Sequence, residues 1–305
     1  MILMDEVDVG LSLLLLQDSR KTYRELADAL GLSVNAVFKR IQKMIDDGVT
    51  RGFTANLNLS SLGAFNVVIF GHAAPGGFDK AKRDLQSDEN TYWVGLAGGS
   101  EIYVGGYLRS LDELDSYVEH VQSATEMPSP EVGIVAVDSG QQPTYKDKPA
   151  LTRLDYRIVH ALSQDSRRAL TDIAEDLGVS VKTVRRRLDE MTESNMLDFS
   201  IRWYPEASND IISIFQLRVK PNADRSKVGL EIVMDHGPKA LFFWTFSNIP
   251  NVVLLWTWSP TMRELRDLQT QLERRDDLQS VTMNIIYTGE VYETWREALL
   301  RERIV

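Results

Sequence analysis

The hydrophobic positions along this chain change period several times, and the changes predict its elements. Between residues 5 and 20, Val7, Leu11, Leu14 and Leu15 recur at helical steps and predict a first helix with one apolar face. Thr22 followed by Glu25 is a capping box, so a second helix starts there and ends near Leu30 and Gly31. Ser33 is a good N-cap for a third helix, on which Val34, Val37, Ile41 and Met44 form one stripe expected to be buried. At about 100° per residue, Lys39 points away from that stripe. Asn35, Ala36 and Lys43 lie near Lys39, and Arg40 sits on a flank. After the stop at Gly48, residues 51–58 alternate like a short strand pair, a wing.

From Ala64 the period becomes that of strands. Strands are expected at 66–73, 91–97, 102–109 and 131–137, with helices at 78–87 and 111–123. The order βαββαβ predicts a ferredoxin-like sandwich, a sheet with helices on one face. Residues 138–150 are polar and rich in Pro, Gly and Lys, as a linker is. The pattern then starts again. A helix at 154–162 precedes a second helix pair, and 199–204 reads as strand-like. Strands are expected at 211–219, 241–246, 252–258 and 281–287, and helices at 227–234, 262–274 and 295–301.

The recurrence is visible residue by residue. Shifted by 147 positions, residues 17–44 lie over 164–191 without a gap, and twelve of the 28 pairs are identical. Gln-Asp-Ser-Arg, Leu-Gly and Ser-Val are kept whole. In the second copy Ser180 is the N-cap, Arg186 takes the outward position, Lys182 and Thr183 lie beside it, and Arg187 is on the flank. A short helix, a Gly turn and a second helix with an outward basic face are the parts of a DNA-reading helix-turn-helix. The candidate DNA contacts are therefore Ser33, Asn35, Ala36, Lys39, Arg40 and Lys43, with Ser180, Lys182, Thr183, Arg186 and Arg187. The plainer alternative is a small helical core with solvated Lys and Arg, and two copies that both keep the basic face count against it. The copies also differ: Ala169 stands where Thr22 caps the first, at an expected cost of about 1 kcal/mol.

These elements predict an α+β chain organised as a tandem repeat. Residues 1–60 form a winged helix-turn-helix, 61–140 a ferredoxin-like sheet domain, 141–150 a linker, 151–207 a second winged helix-turn-helix and 208–305 a second sheet domain. Each sheet leaves one apolar face to be covered. Val68, Phe70, Trp93 and Tyr103 are offered by the first, and Phe215, Phe243, Trp256 and Trp258 by the second. The two sheets are expected to meet, either within one chain or between two.

Composition changes the picture in few places. The net charge of -10 opposes non-specific attraction to nucleic acid, yet residues 33–44 carry Lys39, Arg40 and Lys43 and no acid. An acidic body with basic tips binds DNA only where the tips touch, with an affinity steep in salt. The absence of cysteine excludes disulfides and thiolate chemistry. No apolar run reaches the ~20 residues of a membrane span, and no signal peptide is evident, so a cytosolic location is expected. No cofactor or metal motif stands out.

The order of parts resembles the Lrp/AsnC (feast/famine) transcriptional regulators, archaeal-type, with two family units fused in one chain. The segment from Leu32 and Ser33 through Val37 to Arg40 and Ile41 looks like that family's recognition helix. Asp47, Gly48 and Val49 resemble its turn into the wing, and residues 59–63, Leu-Ser-Ser-Leu-Gly, its bend into the sheet domain (RAM-type). Gly98-x-x-Glu101 is similar to its Gly-x-x-Asp turn, with Glu in place of Asp. The resemblance implies double-stranded DNA as partner and a homodimer or higher homo-oligomer. It also implies a small effector, such as an amino acid, bound at Gly98, Gly99, Ser100 and Glu101. The alternative for that turn is a plain hairpin with Glu101 solvated. Residues 248–251, Asn-Ile-Pro-Asn, depart from the motif, so the second unit is expected to lack a pocket.

Two rival functions come from other classes. Siroheme decarboxylases resemble the same architecture, and that chemistry relies on a His and basic residues near the second strand of the sheet domain. Here 91–95 and 241–245 carry neither His nor Arg, and His72, His120, His160 and His236 fall at unrelated places. The other rival is a ligand-sensing or interaction module that no longer binds DNA, with Phe242, Phe243, Trp244, Trp256 and Trp258 as its surface.

Overall fold

The computed structural model describes residues 3–136 and 150–303, so the expected linker at 141–150 lies outside them but for Ala150. The chain opens with α1 (Glu6–Gln17), α2 (Tyr23–Leu30) and α3 (Val34–Asp46). Asp5 and Asp8 form a capping box on α1, Thr22 and Glu25 one on α2, and Gly31 ends α2 in the left-handed region at φ 66°. The second half repeats the set as α6 (Arg153–Gln164), α7 (Leu170–Leu177) and α8 (Val181–Glu193). Ala169 makes no side-chain cap on α7, as its missing hydroxyl requires.

The wing is where expectation and structure part. Residues 51–58 are not a strand pair but most of one strand, β1 (Thr50–Leu57). Its partner is β6 (Leu197–Trp203) of the second half, antiparallel, with Ala55 opposite Phe199. Its backbone groups pair with the equivalent strand of the other copy rather than with a return strand of its own.

The sheet-forming elements follow in the expected order. They are β2 (Phe65–His72), α4 (Gly77–Leu85), β3 (Thr91–Ala97), β4 (Glu101–Leu108), α5 (Leu114–Thr125) and β5 (Glu131–Ile134). In the second half come β7 (Ile211–Val219), α9 (Arg225–His236), β8 (Ala240–Thr245), β9 (Val252–Ser259), α10 (Met262–Glu273), β10 (Leu278–Val291) and α11 (Trp295–Glu302). Among the described residues these strands make one sheet of eight, in the order β5-β2-β4-β3-β10-β7-β9-β8. The long β10 joins the halves. Its first part pairs with β7, and Thr288 to Val291 pair with Leu96 to Trp93 of β3. At the far ends Val135 bridges Phe246, and the Ala136 N–H donates to the Thr245 carbonyl at 2.8 Å. The sheet thus returns upon itself, with α4 and α5 packed outside one half and α9 and α10 outside the other.

The expected meeting of sheet faces occurs within this one chain. Val68, Phe70 and Tyr103 pack with Ile214, Phe246, Val252 and Leu254, and Trp93 and Trp256 border the same cluster. Phe215 and Phe243 point the other way, into the core beneath the helices, and Trp258 joins the core of the first helix-turn-helix. Alternation along β7 and β8 decides this, because neighbouring residues of a strand face opposite sides.

Candidate nucleic-acid interface

Both recognition helices are started by a serine. The Ser33 hydroxyl accepts from the Ala36 N–H at 3.2 Å and the Ser180 hydroxyl from the Thr183 N–H at 3.1 Å. On α3, Val37, Ile41 and Met44 are buried as expected, but Val34 is 48% exposed. The open arc of α3 runs through Val34, Asn35, Phe38, Lys39 and Gln42, while Ala36 and Arg40 are half-buried. On α8 the open arc is Lys182, Arg185, Arg186 and Asp189, with Thr183 and Arg187 half-buried. The outward face is therefore turned towards Phe38 and Arg185, away from the flank occupied by the two expected arginines.

Arg40 and Arg187 are turned inward because each closes a latch to the backing helix. Arg40 Nη1 lies 2.7 Å from Asp8 Oδ1 and 2.9 Å from Asp5 Oδ2, on the capping box of α1. In the second unit Arg187 Nε donates to Asp155 Oδ1 at 2.7 Å, and Arg187 Nη1 to Glu190 Oε2 at 2.7 Å. Asp155 is N3 of the α6 capping box with Thr152. Hydrogen bonds to Asp8 and Asp155 hold the two guanidinium groups above the ordinary arginine range. Arg40 and Arg187 are thus half-buried and paired with the backing helices, off the open arc of each recognition helix. The signal was in the repeat, since Asp8 and Asp155 stand 147 apart, as Arg40 and Arg187 do.

The remaining cations are at the surface. Lys43 pairs with Asp47 at 2.8 Å and Arg186 with Glu190 at 2.6 Å, both exposed i,i+4 pairs of small worth. Asn35, Lys39, Lys182 and Arg185 have no polar partner among the described residues. Phe38, Gln42, Arg185 and Asp189 were not singled out from sequence. Counting i, i+3, i+4 and i+7 from Asn35 or Lys182 would have reached them.

The repeated Gln-Asp-Ser-Arg is where the two units touch. Ser19 Oγ and Ser166 Oγ, both fully buried, are 2.7 Å apart. Arg20 donates to the Ser166 carbonyl at 2.7 Å, and Arg167 donates to the carbonyls of Ser19 at 2.7 Å and Lys21 at 2.9 Å. The Arg167 guanidinium also lies over Phe53, 4.3 Å from the ring centroid. With the β1–β6 pairing, these contacts set α3 and α8 at a fixed separation on one body.

The turn expected to take an effector is differently placed from an open pocket. Gly99 and Ser100 are exposed, both in the left-handed region, at φ 68° and 65°. Glu101 is only 4% exposed, accepts from Gln216 Nε2 at 2.7 Å and lies 3.0 Å from His72 Nδ1. Neither a solvated carboxylate nor an open one is present: Gln216 of the second half occupies it. Asn284 Nδ2 reaches the Tyr103 hydroxyl at 2.8 Å beside it, and burial pushes that phenol well up. In the second unit Asn248 clamps β5, donating to the Val132 carbonyl at 2.7 Å and accepting from the Ile134 N–H at 2.8 Å.

Comparison with known proteins agrees with the parts. A family model for the AsnC-type helix-turn-helix domain matches residues 151–192, and one for winged helix-turn-helix DNA-binding matches residues 4–49. An uncharacterized HTH-type transcriptional regulator of Pyrococcus furiosus is 34% identical over 121 residues, covering 39% of this chain and 82% of the relative. The leucine-responsive regulatory protein of Rhizobium meliloti is 37% identical over 67 residues, 22% of this chain and 42% of that protein. Among solved structures, the siroheme decarboxylase NirDL superposes with a TM-score of 0.63 over 98% of both chains. At 14% identity that likeness is one of fold. No helix among the described residues is long and apolar enough to cross a membrane.

Proposed function

From a chain that belongs to the Lrp/AsnC family of transcriptional regulators, we infer a DNA-binding regulator that reads its operator as one rigid, two-headed body. The observation that carries this reading is the lock between the heads, Ser19 to Ser166 with Arg20 and Arg167 crossing over. Two heads fixed on one chain engage two half-sites without the entropy of assembling two chains. Lys39, Lys182, Arg185 and Arg186 supply phosphate and base contacts, Asn35 and Thr183 add polar ones, and Lys43 contributes once released from Asp47. Ser33 and Ser180 present helix N-termini to phosphate. The organisation proposed is the division 1–60, 61–140, 141–150, 151–207 and 208–305, acting in the cytoplasm. Further homo-oligomers built from such two-headed chains belong to the same reading.

Salt titration of duplex binding tests it, with stoichiometry measured in the same samples. Log affinity should fall steeply with log salt, with one chain covering two half-sites. A flat response, or no duplex binding at low salt, would sink the regulator reading.

The same reading makes the chain a regulator rather than an enzyme. It is supported by β3 and β8 carrying neither His nor Arg to hold a polycarboxylate tetrapyrrole. Added iron uroporphyrin should keep the Soret band it has in buffer, and a saturable shift would favour the enzyme. An amino-acid effector is proposed at the outer side of Gly98, Gly99 and Ser100, its ammonium competing with Gln216 for Glu101. Thermal shifts with a panel of amino acids, compared between wild type and Glu101→Gln, test that contact. A shift that Glu101→Gln leaves unchanged would exclude it.

A further inference from the structure

The open faces of α3 and α8 occupy equivalent positions and differ in chemistry, most sharply at Phe38 and Arg185. Phe38 and Arg185 are one position of the repeat, and so are Asn35 and Lys182, Lys39 and Arg186, and Gln42 and Asp189. Phe38 is 47% and Val34 48% exposed. Two large apolar side chains side by side on the outward face of a reading helix need a partner that water does not supply. Phe38 is held edge-on against Tyr23 of α2, with centroids 5.6 Å apart and planes at 80°, so the ring is presented rather than loose. In the second unit Leu170 replaces Tyr23, and Arg185 extends from the same position without a polar partner.

Base pairs offer matching differences in the major groove. The thymine methyl is the apolar group there, and an Asn amide pairs with adenine N6 and N7. Guanine offers O6 and N7 to a guanidinium, and cytosine N4 donates to a carboxylate. We propose that this chain reads an operator of two unlike arms, an A·T arm under α3 and a G·C arm under α8. Val34 and Phe38 contact thymine methyls with Asn35 on adenine, while Arg185 and Arg186 take guanine with Asp189 on cytosine. The proposal rests on the DNA-reading assignment above. Because both heads are locked on one body, the arms keep one order and one spacing, and the operator has a direction that a palindrome lacks. The Arg186–Glu190 pair is exposed and exchanges readily for a base edge.

Selection from a random duplex pool by the full chain is the first test, and it should return sites with one A·T arm and one G·C arm in constant orientation. Replacing thymine by deoxyuridine in the A·T arm removes only the methyl groups and should weaken binding about fourfold per contacted methyl. The same replacement in the G·C arm should do nothing. Phe38→Ala should lose part of the deoxyuridine sensitivity, and adding Val34→Ala should remove the rest. Arg185→Ala should keep that sensitivity and relax the guanine preference of the other arm. Arms of like composition would overturn the proposal, and so would a deoxyuridine effect that persists in a Val34→Ala, Phe38→Ala double variant. Absence of duplex binding at low salt would overturn the DNA-reading assignment and this proposal together.

Discussion

At the scale of single residues, the two arginine latches differ in burial and therefore in worth. Arg187 meets Asp155, whose side chain has 0% exposure, whereas Arg40 meets Asp8 at 9% and Asp5 at 55%. Removing one partner of a buried pair leaves an uncompensated charge, so Arg187→Ala should destabilise the chain by about 3 kcal/mol in urea unfolding. Arg40→Ala should cost about 1 kcal/mol. Burial pushes the Asp155 carboxyl up, but Arg187 and Thr152 outweigh it and hold the group below its usual 3.8. A depressed acid stabilises the fold fully above its unfolded value, and the contribution is lost as pH falls through the lower folded value. In Arg187→Ala the guanidinium's share of that depression is lost, while burial and the Thr152 hydrogen bonds remain. The gap between wild type and variant should therefore narrow as the pH is lowered below 3.8. A gap independent of pH would show that the latch is not electrostatic.

Among the elements, α7 carries a local defect that its counterpart α2 in the repeat lacks. Its N-cap Ala169 makes no side-chain hydrogen bond, while the equivalent Thr22 completes a box with Glu25. Asp172 already stands at the third helical position, so Ala169→Thr should restore the box and stabilise the chain by about 1 kcal/mol. Thermal unfolding reads the change, and no gain would mean the N-terminus of α7 is satisfied by other means. The helices and most strands were legible because each buries one face and so shows its period. The wing was not: β1 alternates as a strand should, but its partner lies in the other copy of the repeat. Local pattern carries no information on which distant strand supplies the hydrogen bonds. The last residues of β10, which cross to β3, were missed for the same reason.

For the molecule as a whole, the question left open by sequence was whether the sheets meet within a chain or between chains. Trp256 sits among Trp93, Phe242 and Trp244, with ring centroids 5.1, 5.5 and 5.7 Å away, and the contact is intramolecular. Trp256→Asp should therefore lower the stability of the chain and weaken DNA binding without changing its mass by light scattering. A fall in mass would move the contact to an interface between chains.

The sequence by itself determined the repeat, the helix-turn-helix units with their caps, and the βαββαβ order, because these follow from local periods and capping chemistry. It also placed Lys39, Lys182 and Arg186 on open faces, since the angle around a helix depends only on spacing. Only the tertiary structure decided that Arg40 and Arg187 turn inward, that Val34 and Phe38 stay open, and that Gln216 covers Glu101. Each of those outcomes depends on a partner far away in the chain. A carboxylate on the backing helix, or an amide on the other sheet, changes a side chain's role while leaving the local pattern as it was.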